Sequence, residues 1–235
     1  MRVEIWSDVV CPWCYIGKRR FEQAVERFAG RNDVEIVFRP YLLDPRAAPG
    51  VATPVAEVYA RKFGGPDRAA QIIDNVTAIA AASGIEFHLD RAVRANTLLA
   101  HRLLWFAEQR GVQVELKEQL LQAYFTDGRN VGDPDVLVDA AVRVGLDAAE
   151  VETFLASDAG RAEVMDDLAV AASNDITAVP TFVFNGTWMV PGAQEVETFE
   201  RVLDRVATLE AREAEAAAAV SDAFAGTCED VSGAT

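Results

Sequence analysis

Apolar and polar positions at the start of the chain predict a strand, a helix and a second strand. Residues 3–6 (Val-Glu-Ile-Trp) alternate in character over a short stretch, as a strand does. Across residues 15–29 the apolar positions recur at helical spacing among charges, and Gly30 is a typical helix end. Residues 34–38 predict the second strand, which Pro40 stops. The helical connection favours parallel pairing of the two strands.

The middle of the chain is helical in pattern almost throughout. Glycine-containing breaks divide it, and one segment begins after a candidate capping residue, Asp133, which precedes Pro134. The predicted helices cover residues 54–63, 66–83, 95–110, 114–126, 134–144, 148–156 and 158–173. Because strands are predicted on both sides of this block, we interpret it as a helical insertion into one α/β domain.

Strand character returns after the helical block. Residues 181–184 and 187–190 are two apolar runs separated by Asn-Gly at 185–186, which is the strongest short signal for a β-hairpin. An amphipathic helix follows from Val196 to about Leu209. Together with the first two strands, the hairpin predicts one mixed four-stranded sheet flanked by helices.

The order of these elements sets the expected domain organisation. We predict a core formed by residues 1–53 and 174–210, with residues 54–173 as the helical insertion. Residues 211–235 form a C-terminal extension, in which 211–219 are rich in Ala and Glu and continue the helix. From residue 221 onward we expect a mobile tail, because the residues are small and polar.

Composition and charge restrict the partners. The chain of 235 residues is 51% hydrophobic and 25% charged, which is ordinary for a soluble globular protein. Its net charge of −15 argues against nucleic acids and anionic membranes as partners. It contains no apolar run of membrane-spanning length and no secretory signal pattern at its start, so we expect a cytoplasmic protein. Because no coiled-coil seam is visible, we expect a monomer.

The motif Cys11-Pro12-Trp13-Cys14 is the strongest indication of chemistry. Two of the three cysteines of the chain lie here, at the front of the first predicted helix. In a cytoplasmic protein, such a pair is more typical of catalysis or metal binding than of a structural disulfide. Zinc would need two further ligands, and the remaining candidates lack paired spacing: Cys228, His88 and His101. We therefore predict a redox-active thiol pair and no metal, with inert buried thiols as the alternative.

Helix geometry indicates different roles for the two thiols. Cys11 lies just before the first turn, where free backbone N–H groups favour its thiolate, so it would attack a substrate disulfide. Cys14 lies one turn later on the buried side and would resolve the mixed disulfide. Trp13 adds no positive charge, so we expect a moderately acidic Cys11 and a middling reduction potential. Asp8 would oppose the thiolate if it pointed inward, but its position is equally compatible with solvent exposure.

Val179-Pro180-Thr181 is the second informative segment. An X-Pro bond is normally trans, and a plain strand start is the simplest interpretation of Pro180. If the strand from Thr181 pairs beside the first strand, however, Pro180 would face the cysteines. A cis bond would then present the backbone of Val179 to an extended peptide. We predict that Pro12, Trp13, Val179 and Pro180 contact substrate.

Four segments together resemble the DsbA family of thioredoxin-fold disulfide oxidoreductases, in its FrnE-like branch. They are SDVVCPWCYIGK at 7–18, NTLLAHR at 96–102, VPTF at 179–182 and GAQ at 192–194. The resemblance implies an α/β thioredoxin-like core with a large inserted helical subdomain, a nucleophilic Cys11, a resolving Cys14 and a cis Pro180. It implies no cofactor beyond the Cys11–Cys14 disulfide, and protein or small-molecule thiols and disulfides as partners.

The chain departs from thioredoxin-like proteins at three points. Ile5 occupies the position where many of them hold a buried carboxylate that accepts the proton of the resolving thiol, and Glu4 should point to the other side of the strand. The residues between the cysteines lack the His of strongly oxidising members. Cys228 has no second cysteine beside it. We interpret it as a free thiol, with resolution of Cys11 or a bridge between two chains as alternatives.

Asn96 and His101 are further candidates for substrate binding, because they belong to the second of the four segments. His101 follows apolar residues on a predicted helix, so it either packs inside the insertion or lines a cleft between the insertion and the core. Asn96 either caps that helix or lines the same cleft.

These observations predict a cytoplasmic thiol–disulfide oxidoreductase that forms, reduces or isomerises disulfides. The alternative is a glutathione-dependent transferase or isomerase of the kappa or hydroxychromene-carboxylate isomerase type, a branch with the same insertion and a similar Asn-to-His helix motif. Those enzymes usually carry Ser at the first active position and lack the second cysteine, so Cys11 and Cys14 favour the first hypothesis. The third hypothesis is a non-catalytic binding protein, which the intact cysteine pair disfavours.

Overall fold

The computed structural model describes the backbone of residues 1–229 and the side chains of residues 1–218. The strands are β1 (Arg2–Ser7), β2 (Glu35–Pro40), β3 (Thr53–Pro54), β4 (Val93–Arg94), β5 (Thr181–Phe184) and β6 (Trp188–Pro191). The helices are α1 (Pro12–Arg27), α2 (Val55–Phe63), α3 (Pro66–Ala82), α4 (Leu98–Glu108), α5 (Gln113–Phe125), α6 (Pro134–Arg143), α7 (Ala148–Ala156), α8 (Arg161–Ser173) and α9 (Val196–Glu229).

The main sheet is mixed and four-stranded, in the order β2-β1-β5-β6. Strand β1 pairs with β2 in parallel, with Ile5 opposite Phe38, and with β5 in antiparallel fashion, with Ile5 opposite Phe182. The β5–β6 hairpin turns at Asn185 and Gly186, whose φ angles of 49° and 66° are those of a tight left-handed turn. The thioredoxin-like fold with a helical insertion is therefore confirmed.

Helices α1 and α9 pack on the sheet through an aromatic cluster. The ring of Phe21 on α1 lies 5.2 Å from the rings of both Phe182 and Phe199, and Phe182 lies 4.6 Å from Phe199. All three side chains are fully buried. This cluster holds the helix that begins at the cysteine motif firmly on β1 and β5.

The helical insertion shares its hydrophobic core with the beginning of α1. Tyr15 and Ile16 of α1 belong to the same buried cluster as Phe87 and Phe125, and the Phe87 and Phe125 rings stack at 4.5 Å. The predicted helices are present as α2 to α8, with ends that differ by a few residues. The insertion also contains the short antiparallel pair β3–β4, which hydrophobic periodicity cannot reveal in strands of this length.

The last helix, α9, runs to Glu229 and is therefore longer than the pattern predicted. The side chain of Cys228 and all of residues 230–235 lie outside the described part of the chain, so the three interpretations of this cysteine stay predictions. Among the described helices, none combines the length and the apolar character that crossing a membrane requires.

Candidate active site

The two cysteines lie at the first turn of α1. Cys11 is the N-cap residue in an extended conformation, and Pro12 follows in the first helical turn, where its missing N–H costs little. Cys11 is 4% exposed and Cys14 is 2% exposed, so both thiols are buried. The expected difference in exposure between the two cysteines is therefore small. Trp13 is 41% exposed. It is therefore the member of the motif that solvent and a partner reach most easily.

The two thiols are reduced and interact with each other. Burial, followed by the hydrogen bond and the charge interaction with Cys11, raises the pKa of the Cys14 thiol well above its usual value. The charge of Lys117 and a backbone hydrogen bond from Asp8 act in the opposite direction. Cys14 is therefore the member of the pair that needs help to lose its proton.

The Val179–Pro180 peptide bond is cis, as the resemblance implied. It lies directly against the cysteine motif, because the Cys11 thiol donates to the carbonyl oxygen of Val179 at 3.8 Å. Pro180 also packs on α1 at Gly17, where a Cβ atom would lie only 3.0 Å from the proline Cγ. The absence of a side chain at Gly17 allows this close approach.

Asp8 and His101 form a buried polar pair beneath the motif. The N–H of Leu43 donates to Oδ2 of Asp8 at 2.8 Å, and Oδ1 lies 3.3 Å from Nε2 of His101. Burial raises the pKa of Asp8, but His101, the Leu43 N–H and Lys117 together outweigh it and hold this pKa below its ordinary value. The interpretation of Asp8 as solvent-exposed is therefore wrong, because the loop before α1 turns the carboxylate inward.

His101 and Asn96, two of the predicted substrate contacts, have polar partners within the protein itself. His101 is buried with its Nε2 facing Asp8, so its partner lies in the core, and it can influence the thiols only through Asp8. This geometry supports the packed alternative for His101, and its role in substrate binding stays a prediction. The amide of Asn96 donates to the carbonyl of Ala47 at 2.7 Å and accepts from the N–H of Leu98 at 3.1 Å. Asn96 thus lies one residue before the N-cap Thr97 and accepts a hydrogen bond at the start of α4, as a capping side chain does, and its role in substrate binding stays a prediction.

Lys117 on α5 is a site residue that the sequence interpretation missed. It is 1% exposed, and within the described part of the chain its Nζ has no hydrogen-bond partner. Burial lowers the pKa of its ammonium group to about 8, although the charges of Cys14, Asp8 and Cys11 raise it in part. A signal was present in the sequence. Lys117 shares helical spacing with Gln113 and the buried Leu120 and Leu121, so it interrupts an apolar stripe.

Tyr59 on α2 is the second missed residue. It is half-buried, and burial together with the charge of Cys11 raises the pKa of its phenol to about 12. The insertion therefore contributes residues from α2, α4 and α5 around a motif that belongs to the core.

Comparisons with known proteins agree with this geometry. The family model for the DSBA-like thioredoxin domain matches residues 2–204. Over 208 residues the chain is 30% identical to the uncharacterised protein YwbO of Bacillus subtilis (strain 168), which covers 86% of this chain and 96% of that protein. The crystal structure of the probable DsbA oxidoreductase SCO1869 from Streptomyces coelicolor matches with a TM-score of 0.83 and 41% identity, over 87% of this chain and 89% of that one.

Two more distant structures share the fold at 17% identity. One is the cytosolic disulfide reductase DsbM from Pseudomonas aeruginosa, with a TM-score of 0.63 over 89% of this chain and all of that one; DsbM is also matched in a structure with GSH. The other is a 2-hydroxychromene-2-carboxylate isomerase, with a TM-score of 0.62 over 90% of this chain and 98% of that one. Since the family model spans most of the sequence, the chain belongs to the DSBA-like thioredoxin domain family.

Proposed function

We propose that this protein is a thiol–disulfide oxidoreductase in which Cys11 is the nucleophile and Cys14 the resolving thiol. The observation that supports this most directly is the position of Cys11 at the start of α1, with its thiol 3.8 Å from the Val179 carbonyl. Cys14 follows one turn later in α1, and its thiol interacts with that of Cys11. A thiol pair of this spacing can exchange its own disulfide for one in a partner.

The reaction consists of two exchanges. The Cys11 thiolate attacks one sulfur of a substrate disulfide, a mixed disulfide forms, and the other substrate sulfur leaves as a thiolate. Cys14 then attacks the Cys11 sulfur, the Cys11–Cys14 disulfide closes, and the second substrate thiolate leaves. The protein is oxidised by two electrons and the substrate is reduced by two. Run in reverse, the same steps oxidise a dithiol substrate.

Exposed groups next to Cys11 are the proposed substrate contacts. Trp13 offers a large exposed ring beside the thiols. The loop with cis Pro180 places the backbone of Val179 beside Cys11, where an extended peptide could pair with it. Pro12 is buried, and we include it among the proposed contacts because it lies between Cys11 and Trp13 in the chain.

The compartment and the partners are part of the same proposal. A cytoplasmic location, the FrnE-like branch and a monomeric state are what we propose from the sequence. The name of DsbM, a cytosolic disulfide reductase also solved with GSH, is compatible with glutathione as a small-molecule partner. At 17% identity that likeness concerns the fold.

The second candidate function is a glutathione-dependent isomerase or transferase. It is supported by the fold shared with 2-hydroxychromene-2-carboxylate isomerase over 90% of this chain. The presence of both Cys11 and Cys14 favours the first candidate. An isomerase would need no disulfide in its cycle, which separates the two functions experimentally.

The test is the redox equilibrium of the protein in glutathione buffers, followed by alkylation and mass spectrometry in a Cys228→Ser background. We expect one reversible disulfide between Cys11 and Cys14. Cys14→Ser should accumulate a glutathione adduct on Cys11, and the matched variant Cys11→Ser should accumulate none. If no Cys11–Cys14 disulfide forms in any buffer while GSH binds, the isomerase function replaces the proposed one.

A further inference from the structure

Packing alone does not explain why Lys117, a cation, is buried. Lys18, by comparison, is equally buried but pairs with Glu22 at 2.6 Å and also with Glu118. For Lys117, no described residue provides a hydrogen bond to Nζ. Burying an unpaired ammonium is costly, and a leucine or methionine would fill the same place on the apolar stripe without that cost.

The contacts of α5 place Lys117 against strand β2, which pairs with β1. One turn earlier, Gln113 accepts from the N–H of Phe38 at 2.8 Å and donates to its carbonyl at 3.0 Å, which fixes α5 against β2. The Nζ of Lys117 lies 5.3 Å from the centre of the Phe38 ring. Phe38 is the β2 residue opposite Ile5, which occupies the place of the missing carboxylate. The insertion therefore brings a cation to the β2 residue that lies opposite Ile5.

The groups that face Lys117 come from every element around it. By charge it interacts most strongly with Cys14, then with Asp8 and Cys11, and it is opposed by Lys18 of α1. His101 of α4 joins through its contact with Asp8. Glu118, its neighbour on α5, is already engaged by Tyr15, Lys18 and Arg19. Among these groups, Cys11 and Cys14 gain and lose protons during disulfide exchange, and Cys14 is the thiol whose pKa burial raises.

We propose that Lys117 exchanges a proton with Cys14 and thereby replaces the carboxylate that Ile5 cannot provide. The proposal rests on the thiol–disulfide exchange proposed above and names the proton carrier for its second step.

The step balances as follows. Because Nζ of Lys117 makes no hydrogen bond to Cys14, the proton passes through one intervening water: neutral Lys117 gains a proton and becomes an ammonium, and the Cys14 thiol loses one and becomes a thiolate. The thiolate attacks the Cys11 sulfur of the mixed disulfide, the Cys11–Cys14 bond forms, and the bond to the substrate sulfur breaks. The substrate leaves as a thiolate, and the proton on Lys117 passes to it or to solvent. In the reverse direction the departing Cys14 thiolate takes the proton back. No further oxidant or reductant is needed.

The buried site favours this exchange electrostatically. Transfer of the proton from Cys14 to Lys117 converts two neutral groups into two opposite charges in the same buried site, so neither charge is left alone in the interior. The pKa of Lys117, near 8, makes the neutral amine accessible close to neutral pH. The same charge interaction lowers the pKa of Cys14, which burial raises. Because the two groups interact, they titrate as a pair.

The test follows reduced protein reacting with oxidised glutathione, in a Cys228→Ser background, by rapid acid quench and mass spectrometry. The Cys11–glutathione adduct forms first, and its conversion to the Cys11–Cys14 disulfide is the second step. We expect Lys117→Met to slow the second step on the order of a hundredfold at pH 7, as for loss of a general base. Lys62→Met removes an exposed lysine and should keep both rates.

The pH profile distinguishes proton transfer from a structural role. In the unmodified site the second step should accelerate with pH to a plateau set by the Cys14–Lys117 pair. In Lys117→Met the rise should move to higher pH, because Cys14 then ionises alone. Conversion at the original rate with the original profile would overturn the proposal for Lys117. Failure of the adduct to form in the parent protein would instead contradict the oxidoreductase function.

A second measurement does not depend on a Lys117 variant. The chain has only three lysines, Lys18, Lys62 and Lys117, so carbon-13 labelling of lysine Cε gives a simple NMR titration. We expect the Lys117 titration in the reduced protein to change when Cys14 is replaced by Ser, and that of Lys62 to stay the same. Identical Lys117 titrations in the two proteins would show that no proton is shared.

Discussion

At the scale of single residues, Gly17 decides how closely α1 approaches the cis-Pro180 loop. A Cβ atom there would lie 3.0 Å from Cγ of Pro180 and 3.3 Å from Cα of Ala193, and neither atom belongs to a flexible side chain. The same loop positions Val179 beside Cys11. The distance between the Cys11 thiol and the Val179 backbone, the proposed substrate contact, therefore depends on the absence of one methyl group at Gly17.

We expect Gly17→Ala to reduce the rate of exchange with a peptide disulfide, because the proline loop must move away from Cys11. Overpacking at such a contact costs about 1–3 kcal/mol, partly offset by the better helix propensity of alanine of roughly 1 kcal/mol. Stopped-flow exchange rates and urea unfolding measure the two effects. A variant that is more stable and equally fast would contradict this role of Gly17.

Asp8 is the second residue whose burial has a measurable consequence. Its pKa in the folded protein lies below the ordinary value of 3.8, so the unfolded chain binds more protons in the acid range. The stabilisation by the Asp8 carboxylate is therefore present above about that pH and is lost as pH falls through the lowered pKa. It depends on His101, the Leu43 N–H and Lys117 acting together.

We expect Asp8→Asn to lower the free energy of unfolding at pH 7 by an amount on the order of 2 kcal/mol, typical of a hydrogen bond to a charged group. The difference from the parent protein should shrink as pH falls below 3.8. Urea unfolding over an acid series measures it, with exposed Asp74→Asn as the control. A difference that is constant with pH would mean that the Asp8 charge is not stabilising.

At the scale of elements, Glu118 joins the insertion to the cysteine-bearing helix. Its carboxylate accepts from the Tyr15 hydroxyl at 2.7 Å and from Arg19 at 2.6 Å, and pairs with Lys18. All three partners belong to α1, while Glu118 lies on α5 next to Lys117. This contact therefore holds the proposed proton carrier in register with Cys14.

We expect Glu118→Ala to destabilise the protein by about 1–3 kcal/mol, because it leaves the nearly buried Lys18 with Glu22 alone and removes the partner of Tyr15. It should also slow closure of the Cys11–Cys14 disulfide by displacing α5. Urea unfolding and the rapid-quench assay measure both. Glu152→Ala, on an exposed position of α7, is the control. Loss of stability without any change in closure would separate the two roles.

Long elements with clear periodicity were predictable, and short ones were not. The hairpin follows from Asn185-Gly186, and the helices of the insertion follow from their apolar spacing, because many residues contribute to each pattern. The β3–β4 pair, with Thr53 opposite Arg94, has too few residues for any period. It forms because the surrounding helices bring two distant segments together.

At the scale of the whole molecule, folding must desolvate the ammonium of Lys117, and this cost depends on pH. Burial lowers the pKa of Lys117 from its ordinary value of 10.5 to about 8 in the folded protein. Between these values the unfolded chain holds the proton and the folded chain does not. The free energy of unfolding therefore increases as pH rises through this window.

We expect the oxidised parent protein to gain stability relative to its Lys117→Met variant as pH rises toward 10.5, by roughly 3 kcal/mol. The disulfide removes the Cys14 and Cys11 charges that raise the pKa of Lys117, so in this form the gain begins at or below pH 8. The disulfide form is used so that the two thiols do not titrate. Parallel denaturant curves of both proteins across this range provide the difference, with Lys62→Met as the control. A difference that stays flat with pH would mean that Lys117 keeps an ordinary pKa.

The sequence by itself determined the elements, their order and the reactive motif. Periodicity, the Asn-Gly turn and the spacing of Cys11 and Cys14 are local features, so each could be recognised without knowing the neighbours in space. The resemblance of residues 179–182 to the family implied the cis bond at Pro180. Only the tertiary structure decided which polar groups are enclosed with the thiols. Asp8, His101 and Lys117 are distant in sequence, and burial depends on how the insertion packs on α1, a cooperative result that no local pattern contains.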